Sequence, residues 1–263
     1  MNSKRILVIS LLVLLLIGSI YYLIPRAESE NKVEVDRKER IEELLKDFVK
    51  VDGGTFVMWP NVLKVDFETQ ILVTVESFFI QSTEVNQELY ELVMGDNPSE
   101  NKSSNKMPVT NISWEDCQKF IGKLNLITGR EYRLPTEQEW EFAARGGKGS
   151  QGFLFSGSNN LDEVGWFAGN SEGVIHESKQ KAPNELGLYD MSGNVLEWCS
   201  DTFRPKITDS KDKIYLNGKV RVARGGYWDL ISVMCQNTFR VGIDLDSKGN
   251  SLGFRLAYTD HRM

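Results

Sequence analysis

Three cysteines, two histidines and one oxygen-rich turn are the side chains of this sequence whose types could do chemistry. Cys117, Cys199 and Cys235 form neither a CxxC pair nor a zinc-ligand spacing, so no structural metal site of that kind is expected. Free cysteines are most often small buried hydrophobes. An odd count leaves at least one thiol free or paired between chains. His176 and His261 stand far apart, one in a Gly- and Ser-rich segment and one at the end, so a metal centre with several imidazoles cannot be assembled. Neither lies in a motif that would make it the base of a Ser-His-acid set. The third group is richer. From Gly187 to Asp201 the chain reads G-L-Y-D-M-S-G-N-V-L-E-W-C-S-D. A turn carrying Asp190, Asn194 and Glu197 can aim several oxygens at one point, as a hard cation such as calcium requires. The same residues equally suit a polar hairpin tip over a buried Trp198, since loops collect Asn, Asp and Gly.

Short, mixed elements must hold these groups. Phe48 to Val57 alternates around Gly53-Gly54, which predicts a strand and a tight turn, and residues 73–80 form a second strand-like run. A helix is expected through Leu92. Ser113 is a good N-cap for a helix carrying Trp114, Cys117, Ile121 and Leu124 on one face, which makes Cys117 a core residue. Thr136 and Glu139 form a capping box after Pro135, and Trp140, Ala143 and Ala144 of that helix face inward. Residues 146–181 are rich in Gly, Ser and Asn and predict long loops. Residues 209–218 read as a surface excursion before a strand over 219–224. The sum is a loop-rich α+β domain.

With 41% hydrophobic residues, six Trp and thirteen Phe, the chain can build a sizeable core. Its net charge of -6 offers no electrostatic footprint for nucleic acid, which is not an expected partner. Residues 6–24 form an apolar run close to the ~20 residues a bilayer core demands. The run ends Tyr21-Tyr22-Leu23-Ile24-Pro25-Arg26 rather than at the small residues of a signal-peptidase site, so it reads as an uncleaved anchor. Lys4 and Arg5 precede it, while Glu28 and Glu30 follow Arg26, which places the amino terminus in the cytoplasm and the remainder outside. The expected division is a cytoplasmic tip and transmembrane helix over 1–25, a charged stalk over 26–47 with an amphipathic helix from Arg37, and one domain over 48–260.

The Gly187–Asp201 stretch resembles the G-L-Y-D-M-x-G-N-V-W-E-W signature of the sulfatase-modifying-factor family, whose best-known members are formylglycine-generating enzymes. Three further motifs agree in order: Y-R-L-P-T-E-Q-E-W-E at 132–141, R-G-G-Y-W at 224–228 and L-G-F-R-L at 252–256. Leu196 departs from the family's Trp. The resemblance implies a C-type-lectin-like fold. It also implies calcium, held by the side chains of Asp190 and Glu197 and the carbonyls of Gly193 and Val195.

The family's oxidase members convert a substrate cysteine to formylglycine at two cysteines that hold copper(I), a soft ion suited to paired thiolates. Cys235 matches the first of the two, but Arg240 stands at the second, so copper is not expected. A neighbouring cation could still lower the pKa of Cys235 and leave it reactive; the alternative is a buried apolar position. Non-catalytic members include ligand-binding variable proteins whose changing residues follow R-G-G-S-W. By that resemblance Trp228, Asp229, Leu230, Ile231, Phe239, Val241 and Ile243 form a surface for a protein or glycan ligand. The same residues equally suit buried core. The function this implies is an anchored binding or scaffold module, with a formylglycine-generating oxidase as the alternative.

Overall fold

The computed structural model describes residues 32–58, 71–204 and 218–260. Two compact units are present, Met1–Leu44 and Leu45–Met263. In the first, residues 32–44 are helical (α1), so the expected amphipathic helix starts before Arg37 and ends at 44. The expected anchor over 6–24 lies outside the described residues, as does most of the excursion over 209–218. Among the described residues no helix is long and apolar enough to cross a membrane.

In the second unit, β1 (Phe48–Val51), β4 (Phe78–Gln81) and β9 (Ala257–Tyr258) form one antiparallel sheet, and β2 (Gly54–Met58) pairs with β3 (Ile71–Val75) in another. The run over 73–80 is thus two strands rather than one. The break falls at Glu76–Ser77, where Ser77 Oγ accepts the Gly53 amide at 3.0 Å. Only glycine fits opposite it, because a Cβ on Gly53 would collide with the backbone of Val75 to Ser77. One crossing therefore joins the two sheets along both segments, β1 to β2 and β3 to β4.

The third sheet, in the order β7 (Arg240–Asp244), β6 (Val220–Arg224), β5 (Leu196–Thr202) and β8 (Leu252–Gly253), carries the signature stretch into the core on β5. Helices α2 (Gln87–Met94), α3 (Trp114–Thr128) and α4 (Glu137–Ala144) start at Asn86, Ser113 and Thr136, each accepting an amide at the helix start. Both expected starts are confirmed, and both are capping boxes. Trp140, Phe142, Ala143 and Ala144 of α4 pack with Phe78, Ile80, Met191 and Val222 in the main core. On α3, Cys117, Phe120, Ile121 and Leu124 are buried, while Trp114 is half-buried and donates its indole N–H to the Cys199 carbonyl at 2.9 Å. Between α4 and β5 the only regular elements are a 3-10 turn at Gly147–Gly149 and the short α5 (Leu161–Val164), as the composition of that segment predicts.

Candidate functional site

The signature stretch is a buried junction. Asn194 is fully buried with a positive φ of 59°, a conformation Asn tolerates. Its amide donates to the Trp166 carbonyl at 2.8 Å and its carbonyl accepts the Trp228 amide at 3.0 Å. Its side-chain oxygen accepts the His176 amide at 3.1 Å, and its Nδ2 donates to Glu84 Oε1 at 3.0 Å. Gly193 lies so close to the Trp166 backbone that no Cβ could be placed there. The Gly-Asn pair thereby fixes three points at once, both ends of the 166–176 loop at Trp166 and His176 and the loop containing Trp228.

Glu197, on β5, points into the core and has no exposure. Arg255 grips it with Nε on Oε2 and Nη2 on Oε1, both at 2.6 Å, and the Trp140 indole donates to Oε2 at 2.8 Å. Arg255 also donates to the carbonyls of Gln81, Ser82 and Tyr189. Burial alone would lower the pKa of its guanidinium, but the charge and hydrogen bonds of Glu197, together with the charges of Glu84 and Asp190, outweigh that and hold it above its ordinary value. Three of the four motifs, E-W-E at α4, N-V-L-E-W and G-F-R, therefore meet in one ion pair.

Beside this balanced pair sits an unbalanced one. Asp190 is buried with φ 58°, and its Oδ2 accepts the Lys179 amide at 2.9 Å, while Oδ1 is buried with no partner. Glu84, also buried, accepts from Asn194 and from Ser178 Oγ at 2.9 Å. Burial pushes the Glu84 carboxyl well above the usual carboxylate range and that of Asp190 up to about 6, against the Lys179 amide. Three buried carboxylates thus share one buried guanidinium. Glu84 was missed by sequence reasoning.

This arrangement bears on the expected calcium set. Both oxygens of Glu197 already accept hydrogen bonds, from Arg255 and from Trp140. Asp190 Oδ1 does fit a hard cation, being buried, anionic and without a hydrogen-bond donor. Among the described residues no three His, Cys, Asp or Glu side chains are grouped to hold a metal. An ion at Asp190 would rely on backbone oxygens such as those of Gly193 and Val195.

Copper(I) does not fit. Cys235 is fully buried in a 3-10 turn (Ser232–Cys235), packed with Phe155, Leu161 and Val164. Burial pushes its thiol up to about 12. A thiol activated by Arg240 is therefore overturned: Arg240, on β7, spends its charge on Glu137 of α4, with Nε on Oε1 at 2.5 Å and Nη2 on Oε2 at 2.7 Å. Glu137 also lies 3.6 Å from Arg224, which pairs with Glu141. Arg240 is thus a link in an ion-pair chain. All three cysteines are free and buried.

The residues expected to bind a ligand divide. Asp229 and Ile231 are exposed on the loop after β6. Trp228 and Leu230 are half-buried anchors, Trp228 against Met107, Ile175 and Val195, and Leu230 against the cluster around Phe155 and Cys235. Phe239 is half-buried before β7, its carbonyl accepting from Arg224 at 2.7 Å. Val241 and Ile243 lie within β7, opposite Ala223 and Arg221 of β6. Leu154 and Val174, on the loops hydrogen-bonded to this one or within them, are also exposed and were not foreseen. They sit in the Gly- and Ser-rich loops, where no periodicity marks them.

The sheet order, the loop-dominated middle and the buried N-V-L-E-W junction define a sulfatase-modifying-factor domain. The family model described as "Sulfatase-modifying factor enzyme 1-like domain" matches residues 33–260, and the chain belongs to that family. It is 33% identical to "Chaperone protein LppX" of Paenibacillus barcinonensis, over 79% of this chain and 86% of that one. It is 31% identical to "Inactive C-alpha-formylglycine-generating enzyme 2" of Mus musculus, over 58% of this chain and 49% of that one. The chain therefore spans about half the length of that relative. Among solved structures it resembles "Treponema denticola variable protein 1", with a TM-score of 0.70 and 30% identity over 80% of this chain and 94% of that one. The family holds both oxidases and inactive members.

Proposed function

We propose that this chain is a non-catalytic binding module of the sulfatase-modifying-factor family, carried outside the cytoplasm on the apolar run at residues 6–24. One observation supports the non-catalytic reading: Arg240, which by resemblance stands where the oxidases have their second thiolate, is committed to Glu137, while Cys235 is a buried core thiol. A site for copper(I) needs two deprotonated sulfurs, and this one offers a single protonated sulfur. Relatives named a chaperone and an inactive enzyme are compatible with such a role. A calcium ion at Asp190, completed by the Gly193 and Val195 carbonyls, would serve here to neutralise a buried carboxylate. The ion belongs to the frame and takes no part in a reaction.

The full-length chain, recovered from the membrane pellet with residue 1 intact, provides the test. Incubated with a Cys-x-Pro-x-Arg peptide, copper(I) and oxygen, it should form no aldehyde. Aldehyde that disappears in Cys235→Ala would establish the oxidase instead, and recovery of a soluble form beginning near residue 27 would replace the anchor with a cleaved signal.

A further inference from the structure

Three loops of the second unit run side by side. The Asn237 amide donates to the Leu154 carbonyl at 2.9 Å and Asn237 Nδ2 to that of Phe153 at 3.1 Å, which joins the 151–159 loop to the segment after β6. On the other flank the Ala168 amide donates to the Leu230 carbonyl at 3.0 Å, and Ser171 Oγ to that of Trp228 at 2.8 Å. The middle loop is thus tied on both sides. Each loop carries an exposed apolar side chain: Leu154 (52%), Val174 (45%) and Ile231 (61%). Phe153, Phe167, Tyr227, Trp228 and Leu230 are half-buried among them.

The charges on these loops are of one sign. Residues 151–159, 166–176 and 227–239 contain Glu172 and Asp229, both exposed, and no Lys or Arg. Asp162 and Glu163 of α5 add exposed carboxylates at the edge. A nearby cation, Lys181, lies 4.0 Å over the Trp166 ring and donates to the Asp162 carbonyl, so it is drawn onto α5. An apolar face with an acidic border selects a partner of complementary pattern, since opposed potentials favour encounter and like charges disfavour wrong partners.

We propose that this three-loop face docks an apolar polypeptide segment flanked by Lys or Arg. The proposal rests on the binding-module reading and names its partner class. The glycan option is disfavoured by Leu154, Val174 and Ile231, which offer a sugar no hydrogen bonds.

The probes are fluorescein-labelled peptides with one Leu-Val-Phe-Ile core, flanked on both sides by two Lys, two Ser or two Glu. The full-length chain is held in phosphatidylcholine nanodiscs, with empty nanodiscs as the blank, and binding is read by anisotropy. The Lys-flanked peptide should bind at least tenfold more tightly than the Glu-flanked one. Ile231→Ser and Leu154→Ser should each weaken it several-fold, while Leu126→Ser, at a residue 87% exposed on α3, should change nothing. The double variant Asp229→Lys with Glu172→Lys should reverse the flank preference. Equal binding of all three peptides overturns the proposal, as does an equal loss in Leu126→Ser. Self-association abolished by Ile231→Ser would assign the face to a second copy and also overturn it. None of these results produces an aldehyde, so failure here is distinct from failure of the non-catalytic reading.

Discussion

The stretch from Gly187 to Asp201 and the loop from Tyr227 to Asn237 are tied to each other at Asn194 and Trp228, yet they use their side chains in opposite ways. In the first, Asp190, Ser192, Asn194, Glu197 and Trp198 are all buried and bonded inward. In the second, Trp228 and Leu230 anchor the loop while Asp229 and Ile231 face out. The residues that identify the family build the frame, and the residues without a motif form the surface. A polar residue inside a recognisable signature is thus poor evidence for a ligand until its hydrogen bonds are assigned, because buried polar groups must find partners within the fold.

The largest expected effect comes from breaking the frame. Arg255→Met removes the guanidinium but leaves Glu197, a fully buried carboxylate, with only the Trp140 indole. Removing one partner of a buried pair costs about 3–5 kcal/mol, and here three backbone carbonyls lose donors as well. Urea unfolding should show a loss of at least that size. A change below about 1 kcal/mol would mean that Glu197 is not held as the geometry indicates, and the contrast between frame and face would fail.

Asp190 sharpens the comparison, because it belongs to the frame but keeps one oxygen uncommitted. A bound calcium ion would stabilise the fold by mass action, about 2.7 kcal/mol at a hundred times its dissociation constant. A chelator should therefore lower the melting temperature of the wild type. Asp190→Asn should be insensitive to chelator and, in its presence, more stable than the wild type, since an amide removes the excess buried charge beside Glu84 and Glu197. A melting curve unmoved by chelator, with no divalent ion co-purifying, would remove calcium from Asp190.

Much of the frame was legible in the sequence, for physical reasons that can be named. Ser113 and Thr136 could be read as caps because an N-cap depends on a few adjacent residues. The break between β3 and β4 could not, because Glu76 and Ser77 are unremarkable alone and become a turn only where Gly53 crosses them. Arg255 closing on Glu197 was equally hidden, with the partners 58 positions apart and no local pattern to join them. The exposed positions of Leu154 and Val174 depend on how three loops align, which no periodicity within any one of them records.

The smallest effect tests how far the frame extends toward solvent. Asp116, third residue of α3, accepts the Ser113 amide at 3.2 Å and pairs with Lys248 at 2.6 Å and Lys119 at 3.3 Å. Partial burial alone would raise its pKa, but the bond from Lys248 and those from Ser113 and Lys119 outweigh it and hold the carboxyl near about 2, below its ordinary 3.8. The folded state therefore binds fewer protons than the unfolded chain between these two values. The stabilisation is fully present above about pH 4 and is lost as the pH falls toward 2. Both lysines are about half exposed or more, so solvent screening limits the contribution to about 1 kcal/mol. Asp116→Asn should remove that increment at pH 5 and leave stability near pH 2 unchanged, so the wild-type and variant urea midpoints should converge on acidification. Midpoints that stay parallel from pH 5 to pH 2 would show that the carboxylate charge contributes nothing, and that the frame ends beneath the cap of α3 rather than reaching the Lys248 side chain.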